Sequence, residues 1–218
     1  MPRVSRMPPG HAETLSYDPE PGHSRFGGNC LAARLRRRKC ETSWVADYIW
    51  RGLEYDGLER IRVEEGGMVR ATSIIDSARG RYSYEIVCES DWTFRQLRLE
   101  AATGERTLLI TYDGRGGWEV DGEMRTDLSD AIDLDLAITP FTNTLPIRRL
   151  DLAVGDEGDV TAAYVSFPDL EVNIDEQRYT RLDEDVYLYE SLDSDFSREI
   201  TVDLEGIVVD YPGLFERL

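Results

Sequence analysis

The sequence is poor in lysine and histidine, and it contains no long apolar run. One lysine, Lys39, stands beside 24 arginines, and the two histidines, His11 and His23, both lie near the N-terminus. The rest of the chain therefore excludes Ser-His-Asp triads, Cys-His pairs and histidine-ligated zinc. No stretch of about eighteen apolar residues occurs, so neither a transmembrane helix nor stable membrane insertion is expected.

Cysteines are also few. Cys30, Cys40 and Cys88 are odd in number and lack the spacing of metal ligands, so they are predicted to be free thiols, with a Cys30–Cys40 disulfide as the alternative. The N-terminus has prolines but lacks the apolar segment of a secretion signal. These features predict a cytoplasmic protein. No glycine-rich phosphate loop occurs either, and no cofactor or metal is expected.

The charge is strongly acidic and unevenly distributed. The net charge is −18, with +5 in residues 1–40 and −23 in the remainder. So acidic a body would repel phosphates, so no nucleic-acid partner is expected for it. An acidic, lysine-poor surface stays hydrated in concentrated salt, where the Debye length falls to about 3 Å and self-repulsion is screened. The composition thus suggests a halophilic source.

Residues 1–42 are predicted to be a disordered extension, and residues 43–218 a single domain. The extension is basic, rich in proline and glycine, and has no sustained periodicity. Its run from Arg34 to Lys39 is interpreted as part of a solvated tail, with a patch for nucleic acid or anionic membranes as the alternative.

From residue 43 onward the apolar pattern has a period of two. It is clear at Tyr82–Cys88, Leu97–Leu99, Ile132–Ile138 and Ile200–Leu204, and Asp-Gly or other glycine turns separate the segments. Half-buried strands joined by tight hairpins follow from this pattern. The sequence therefore predicts an all-β fold, a long antiparallel meander of ten to fourteen strands. So many strands must curl, and we expect a barrel or half-barrel around an apolar cavity.

The most distinctive segment runs from Tyr112 to Leu150 and includes the unbroken sequence TPFTNTLPIRRL at 139–150. It resembles the putative glycolipid-binding family of microbial proteins, and the resemblance extends over roughly residues 43–218. It implies a curved antiparallel sheet similar to that of bacterial lipoprotein carriers. It also implies non-catalytic binding of a lipid or glycolipid, and it supplies no catalytic residues.

Residue chemistry adds candidate sites and two alternatives. Asp133 and Asp135 share one strand face at a separation of about 6–7 Å, so a hydrolase acting on a glycoside or lipid is one alternative. A ligand-free interaction scaffold is the other. Pro140 and Pro146 predict a structured loop between two strands, stiffened by Asn143.

A strand is then expected to start at Arg148. Strand parity predicts that Arg148 rather than Arg149 faces inward and pairs with Asp133 or Asp135 near a sugar or phosphate head group. The predicted ligand-binding residues are Trp118, Asp133, Asp135, Asn143, Arg148 and Tyr179.

Overall fold

The computed structural model describes residues 43–104 and 106–218, so the predicted N-terminal extension, with Cys30 and Cys40, lies outside the described residues. The first strand begins at Trp44, close to the predicted start of the domain. Within the described ranges, no helix is both long and apolar enough to cross a membrane.

Fifteen strands account for most of the domain. They are β1 Trp44–Gly52, β2 Gly57–Glu65, β3 Met68–Ser77, β4 Gly80–Glu89, β5 Phe94–Ala101, β6 Thr107–Tyr112, β7 Trp118–Val120, β8 Glu123–Met124, β9 Asp133–Leu136, β10 Glu157–Val165, β11 Val172–Arg181, β12 Val186–Ser191, β13 Ser197–Val202, β14 Val208–Tyr211 and β15 Phe215–Arg217. Two 3₁₀ turns, Thr126–Leu128 and Phe141–Asn143, and one α-helix, α1 Thr144–Leu150, complete the fold.

All fifteen strands belong to one curled, mixed sheet. Antiparallel neighbours run from β1 out to β8 at one edge, and from β10 back to β15, which pairs with β1. The other edge is β9, which pairs with β10 in parallel. The predicted all-β fold with a curled sheet is therefore confirmed. The departures from the prediction are the parallel pair and one strand beyond the expected range.

Hairpin strands bury one face, as their alternation predicted. In β2, Ile61 and Val63 are buried while Arg60 and Arg62 are exposed. Such faces build an apolar cluster inside the curve of β1–β7, which is completed by Leu134 of β9. A second cluster lines β10–β15 and includes several tyrosines. Both clusters are packed with side chains, so the interior of the curled sheet is largely filled.

The strand pair β9–β10 lies between these two clusters and is covered on both faces. Leu134 and Ala163 pack in the first cluster, whereas Ala162 packs in the second. Asp133 is buried as well, and Ile132, which the alternating pattern placed inside, is exposed. The expected half-buried strand was thus wrong at β9, because a strand with both faces covered has no solvent side to alternate with.

The segment predicted to be a loop followed by a strand is instead a 3₁₀ turn followed by α1. Ten consecutive residues, Ile138–Ile147, are buried, and we call this stretch the plug. Pro146 is the third residue of α1, where its missing N–H would have had no partner inside the helix. The strand predicted to start at Arg148 was therefore wrong, because proline near the start of a helix is tolerated.

Candidate functional site

The polar residues of the plug hold its shape through local hydrogen bonds. The Thr142 hydroxyl accepts the backbone N–H of Leu136 at 3.1 Å and donates to Asp135 Oδ1 at 2.9 Å. Asn143 donates through Nδ2 to the Pro140 carbonyl at 3.2 Å, as its predicted stiffening role requires. The Tyr179 hydroxyl donates to Asn143 Oδ1 at 2.9 Å. These bonds fix the plug against β9 and β11.

A cavity of about 410 Å³ opens beside the plug. On the plug side it is bordered by Leu136, Ala137, Thr139 and Asn143, and on the opposite side by residues of β10–β12 and β14–β15. Its lining residues are Glu54, Tyr55, Asp135, Leu136, Ala137, Thr139, Asn143, Tyr164, Asp175, Tyr189, Ser191, Asp193, Ser194, Phe196, Tyr211, Leu214 and Phe215. The exposed residues Glu54, Asp193 and Ser194 mark the mouth, and buried Tyr189 and Tyr211 lie deeper.

The lining combines aromatic rings with carboxyl groups. Six of the lining residues are tyrosine or phenylalanine and four are aspartate or glutamate. Among the lining residues there is no arginine, lysine or histidine. Two of the lining rings contact exposed arginines that lie outside the lining: the Arg79 guanidinium is 4.5 Å from the ring of Tyr55, and the Arg198 guanidinium is 4.8 Å from the ring of Phe196.

Two of the carboxyl groups share one amide donor. Gln177 Nε2 donates to Asp135 Oδ2 at 2.9 Å and to Asp175 Oδ2 at 2.8 Å. Burial raises the pKa of Asp135 to about 6, against the lowering effect of the bonds from Thr142 and Gln177. Burial also raises the pKa of Asp175. Among the described residues no cationic side chain pairs with Asp135 or Asp175, and the Gln177 amide lies between the two carboxyl groups.

Asp133, although it shares a strand face with Asp135, does not line the cavity. Arg149 binds it with two hydrogen bonds, Nε to Oδ1 at 3.1 Å and Nη2 to Oδ2 at 2.5 Å. The Asp133 side chain is only 1% exposed. Burial raises the pKa of Asp133, and the bonds from Arg149 oppose that rise. Asp133 is therefore half of a buried ion pair and lies outside the candidate site.

The predicted roles of the two arginines are exchanged. Arg148 lies away from the cavity: its guanidinium is 4.9 Å from the Trp92 ring, and Nη2 contacts Glu65 Oε2 at 3.1 Å. Arg149, the neighbour that parity assigned to the outside, pairs with Asp133. The parity argument was wrong because it assumed a strand, whereas consecutive residues of α1 point about 100° apart.

Two further predicted residues are structural. Trp118 is fully buried, stacks on Phe94 and Tyr112, and donates its indole N–H to the Ala131 carbonyl. Tyr179 is buried and contributes its hydroxyl to the plug rather than to the cavity. Of the six predicted ligand-binding residues, the structure places Asp135 and Asn143 in the cavity wall.

The residues that sequence reasoning missed lie mainly on β11, β12 and β14. Asp175 has the same parity as Gln177 and Tyr179 on β11, so their period-two spacing was a usable signal. The tyrosines Tyr189 and Tyr211 come from separate strands, and only the fold brings their rings within 6.3 Å.

A second buried carboxyl group lies close to the cavity wall. Glu59 is 3% exposed, and its Oε1 accepts hydrogen bonds from Tyr84 at 2.6 Å and from Ser73 at 2.8 Å. Its Oε2 has no hydrogen-bond partner among the described residues. Burial raises the pKa of Glu59 to about 7. The Tyr84 hydroxyl also meets the Thr139 hydroxyl, a cavity residue, at 3.2 Å.

Comparison with known proteins identifies the family. The family model described as "Putative glycolipid-binding" matches residues 47–217. The chain belongs to this family. The family assignment confirms the resemblance seen in the sequence, and residues 139–150, which carried much of that resemblance, form most of the plug and all of α1.

A solved relative supports the same fold. The crystal structure of a DUF1089 family protein from Pseudomonas aeruginosa is 38% identical in sequence, with a TM-score of 0.60, and the match covers 81% of this chain and 92% of that one. A search of curated proteins finds no match.

Proposed function

We propose that the cavity binds the sugar head group of a glycolipid without catalysing a reaction. The observation that carries this proposal is the lining itself. Six aromatic rings offer faces on which a sugar ring can stack, and carboxyl, hydroxyl and amide groups offer hydrogen-bond partners between them. The family's description supports the same class of ligand.

The size of the cavity favours a head group over a whole lipid. A volume of about 410 Å³ falls in the lower part of the roughly 300–1,000 Å³ range of small-molecule pockets. Leu214 and Phe196, both half-buried in the lining, offer apolar surface on which the start of an acyl or alkyl chain would pack. The proposed ligand is therefore amphipathic, with the sugar enclosed and the chain directed outward.

A hydrolase remains the second candidate, in altered form. Asp133 is neutralised by Arg149, so the original Asp133/Asp135 pair does not meet in one cleft. Asp135 and Asp175 do share the cavity, and the raised pKa of Asp135 suits a general acid. Release of free sugar from an alkyl glycoside by the protein, and its loss in Asp135→Asn, would favour this candidate.

Calorimetric titration tests the binding proposal. The probes are monomeric octyl glucoside, octyl glucosaminide and octyl N-acetylglucosaminide. Ser191→Trp places an indole in the cavity wall, and Thr72→Trp makes the same change at an exposed position of β3 as the matched control. We expect saturable binding of at least one probe, retained in Thr72→Trp and lost in Ser191→Trp. Absence of binding for all three probes, or undiminished binding in Ser191→Trp, would refute the proposal.

A further inference from the structure

The charged residues in the cavity lining are all acidic, and they are arranged at two depths. Asp135 and Asp175 lie half-buried along the wall, on either side of Gln177 Nε2, and Asp193 and Glu54 stand exposed at the mouth. Arginines neutralise two buried or half-buried carboxylates elsewhere in the domain: Arg149 pairs with Asp133, and Arg217 pairs with Asp203. No ion pair of that kind joins Asp135 or Asp175 to a described residue.

The remaining hydrogen bonds of these two carboxyl groups come from neutral donors. Asp135 accepts from Thr142 and Gln177, and Asp175 accepts from Gln177 and, at 3.4 Å, from the Tyr189 hydroxyl. An ionised carboxylate has about four acceptor positions, so each has capacity left for a ligand. Neutral donors compensate a partly buried negative charge only in part, and a cation entering the cavity would compensate it further.

The aromatic rings are an independent feature that favours the same ligand charge. Tyr164, Tyr189 and Tyr211 line the cavity alongside the two carboxyl groups. The face of an aromatic ring carries negative electrostatic potential and attracts ammonium groups. A cavity built from carboxylates and ring faces, with no cationic side chain in its lining, matches a positively charged ligand and repels an anionic one.

We infer that the head group carries a protonated amine, as an amino sugar does, bound between Asp135 and Asp175, and that the cavity rejects phosphate and other anionic head groups. This inference rests on the proposed function and narrows its ligand class. It also replaces the expectation that an arginine anchors a sugar or phosphate head group, since Arg148 and Arg149 both form ion pairs outside the cavity.

The test compares affinities within the same octyl series. Octyl glucosaminide carries the free amine, octyl N-acetylglucosaminide has the amine blocked, and octyl glucoside has a hydroxyl in its place. At a pH that keeps the amine protonated and the carboxyl groups ionised, we expect the glucosaminide to bind at least about tenfold more tightly than either neutral probe, since charge-assisted hydrogen bonds add about 1.5–3 kcal/mol.

Variants separate this charge recognition from sugar binding in general. Asp175→Asn should lower the ratio of glucosaminide affinity to octyl glucoside affinity by about tenfold. Asp159→Asn makes the same change at an exposed position of β10, outside the cavity lining, and should leave the preference intact. Folding of each variant is checked by circular dichroism.

The outcomes distinguish the two proposals. If the neutral probes bind as tightly as the glucosaminide, or if Asp175→Asn keeps the preference, the amine inference is overturned while sugar binding stands. If no probe binds, both fail. If octyl phosphate binds more tightly than the glucosaminide, the cavity selects anions and the inference is likewise overturned.

Discussion

Asp133 and Asp135 lie two residues apart on one face of β9, yet they belong to different regions of the molecule. Asp133 is 1% exposed and bound by the Arg149 guanidinium from α1. Asp135 borders the cavity and is bound by the neutral donors Thr142 and Gln177. One region is closed and neutralised, and the other is open and keeps its negative charge.

The different surroundings of Asp133 and Asp135 show that strand alternation predicts which face a side chain is on but not what the side chain binds. What separates the two aspartates is the plug and α1, which deliver an arginine to one carboxyl group and leave the other facing space. The ion pair serves the fold, because a buried carboxylate without a partner is costly. The unneutralised pair Asp135 and Asp175 is available for a ligand. Removing a charge should therefore have different effects at the Asp133–Arg149 ion pair and at the cavity carboxyl groups.

The largest loss of stability is expected when the buried Asp133–Arg149 ion pair is broken. Arg149→Ala leaves Asp133 buried and without its cation, which should lower the free energy of unfolding by about 3–5 kcal/mol. Chemical denaturation at neutral pH measures the change.

Arg148→Ala is the matched control for that measurement. Its pair with Glu65 is more open, with side chains 27% and 22% exposed, so we expect a loss of about 1–2 kcal/mol, including its contact with Trp92. If Arg148→Ala lowered the free energy of unfolding as much as Arg149→Ala or more, the conclusion that the Asp133–Arg149 pair is the more important ion pair for the fold would be wrong.

Glu59 extends the comparison to a buried carboxyl group that forms no ion pair with a described residue. Its pKa rises from 4.5 to about 7 on folding, so the folded state binds the proton more tightly. The stabilising contribution is complete below pH 4.5 and is lost as pH rises towards 7, by about 3 kcal/mol in total.

Glu59→Gln keeps the neutral shape and removes the titration. The variant should match the parent protein near pH 4.5 and exceed it by about 3 kcal/mol at pH 8. Denaturation of both proteins across this range checks the difference. A constant offset between them at all pH values would show that Glu59 does not titrate as its burial implies.

The smallest change in stability is expected at Asp135, in the cavity wall. Asp135→Asn removes a charge that no cation of the described residues neutralises, and the oxygen of the new side-chain amide can still accept the hydrogen bond from Gln177. The free energy of unfolding at neutral pH should change by less than about 1 kcal/mol in either direction. A loss comparable to that of Arg149→Ala would show that Asp135, like Asp133, is needed by the fold.

The fold was predictable wherever one face of a strand is buried and the other is solvated. β4 and β5 show this: Tyr84, Ile86, Leu97 and Leu99 are buried, as their spacing indicated. The alternating pattern gave wrong predictions at β9 and α1, for physical reasons. β9 is covered on both sides, and a helix of seven residues spans about two turns, too short to display a 3.6-residue period.

The candidate site was predictable in part. Asp135 and Asn143 were selected from the distinctive central segment, and both line the cavity. Asp175, Tyr189 and Tyr211 come from later strands whose proximity depends on long-range pairing. Trp118 was a false candidate, because a buried indole with its N–H satisfied cannot be told from a ligand-stacking one in the sequence alone.

Native mass spectrometry of the purified protein is the most direct test of whether the cavity binds a lipid whose sugar head group carries an amine. The protein is released gently from cells that make amino-sugar lipids, and bound small molecules are then extracted and identified by fragmentation. We expect a one-to-one adduct with an amphipathic molecule that bears a sugar and a free amine. The adduct should be absent from Ser191→Trp and present in Thr72→Trp. A protein that is uniformly empty, or an adduct that persists in Ser191→Trp, would contradict this expectation.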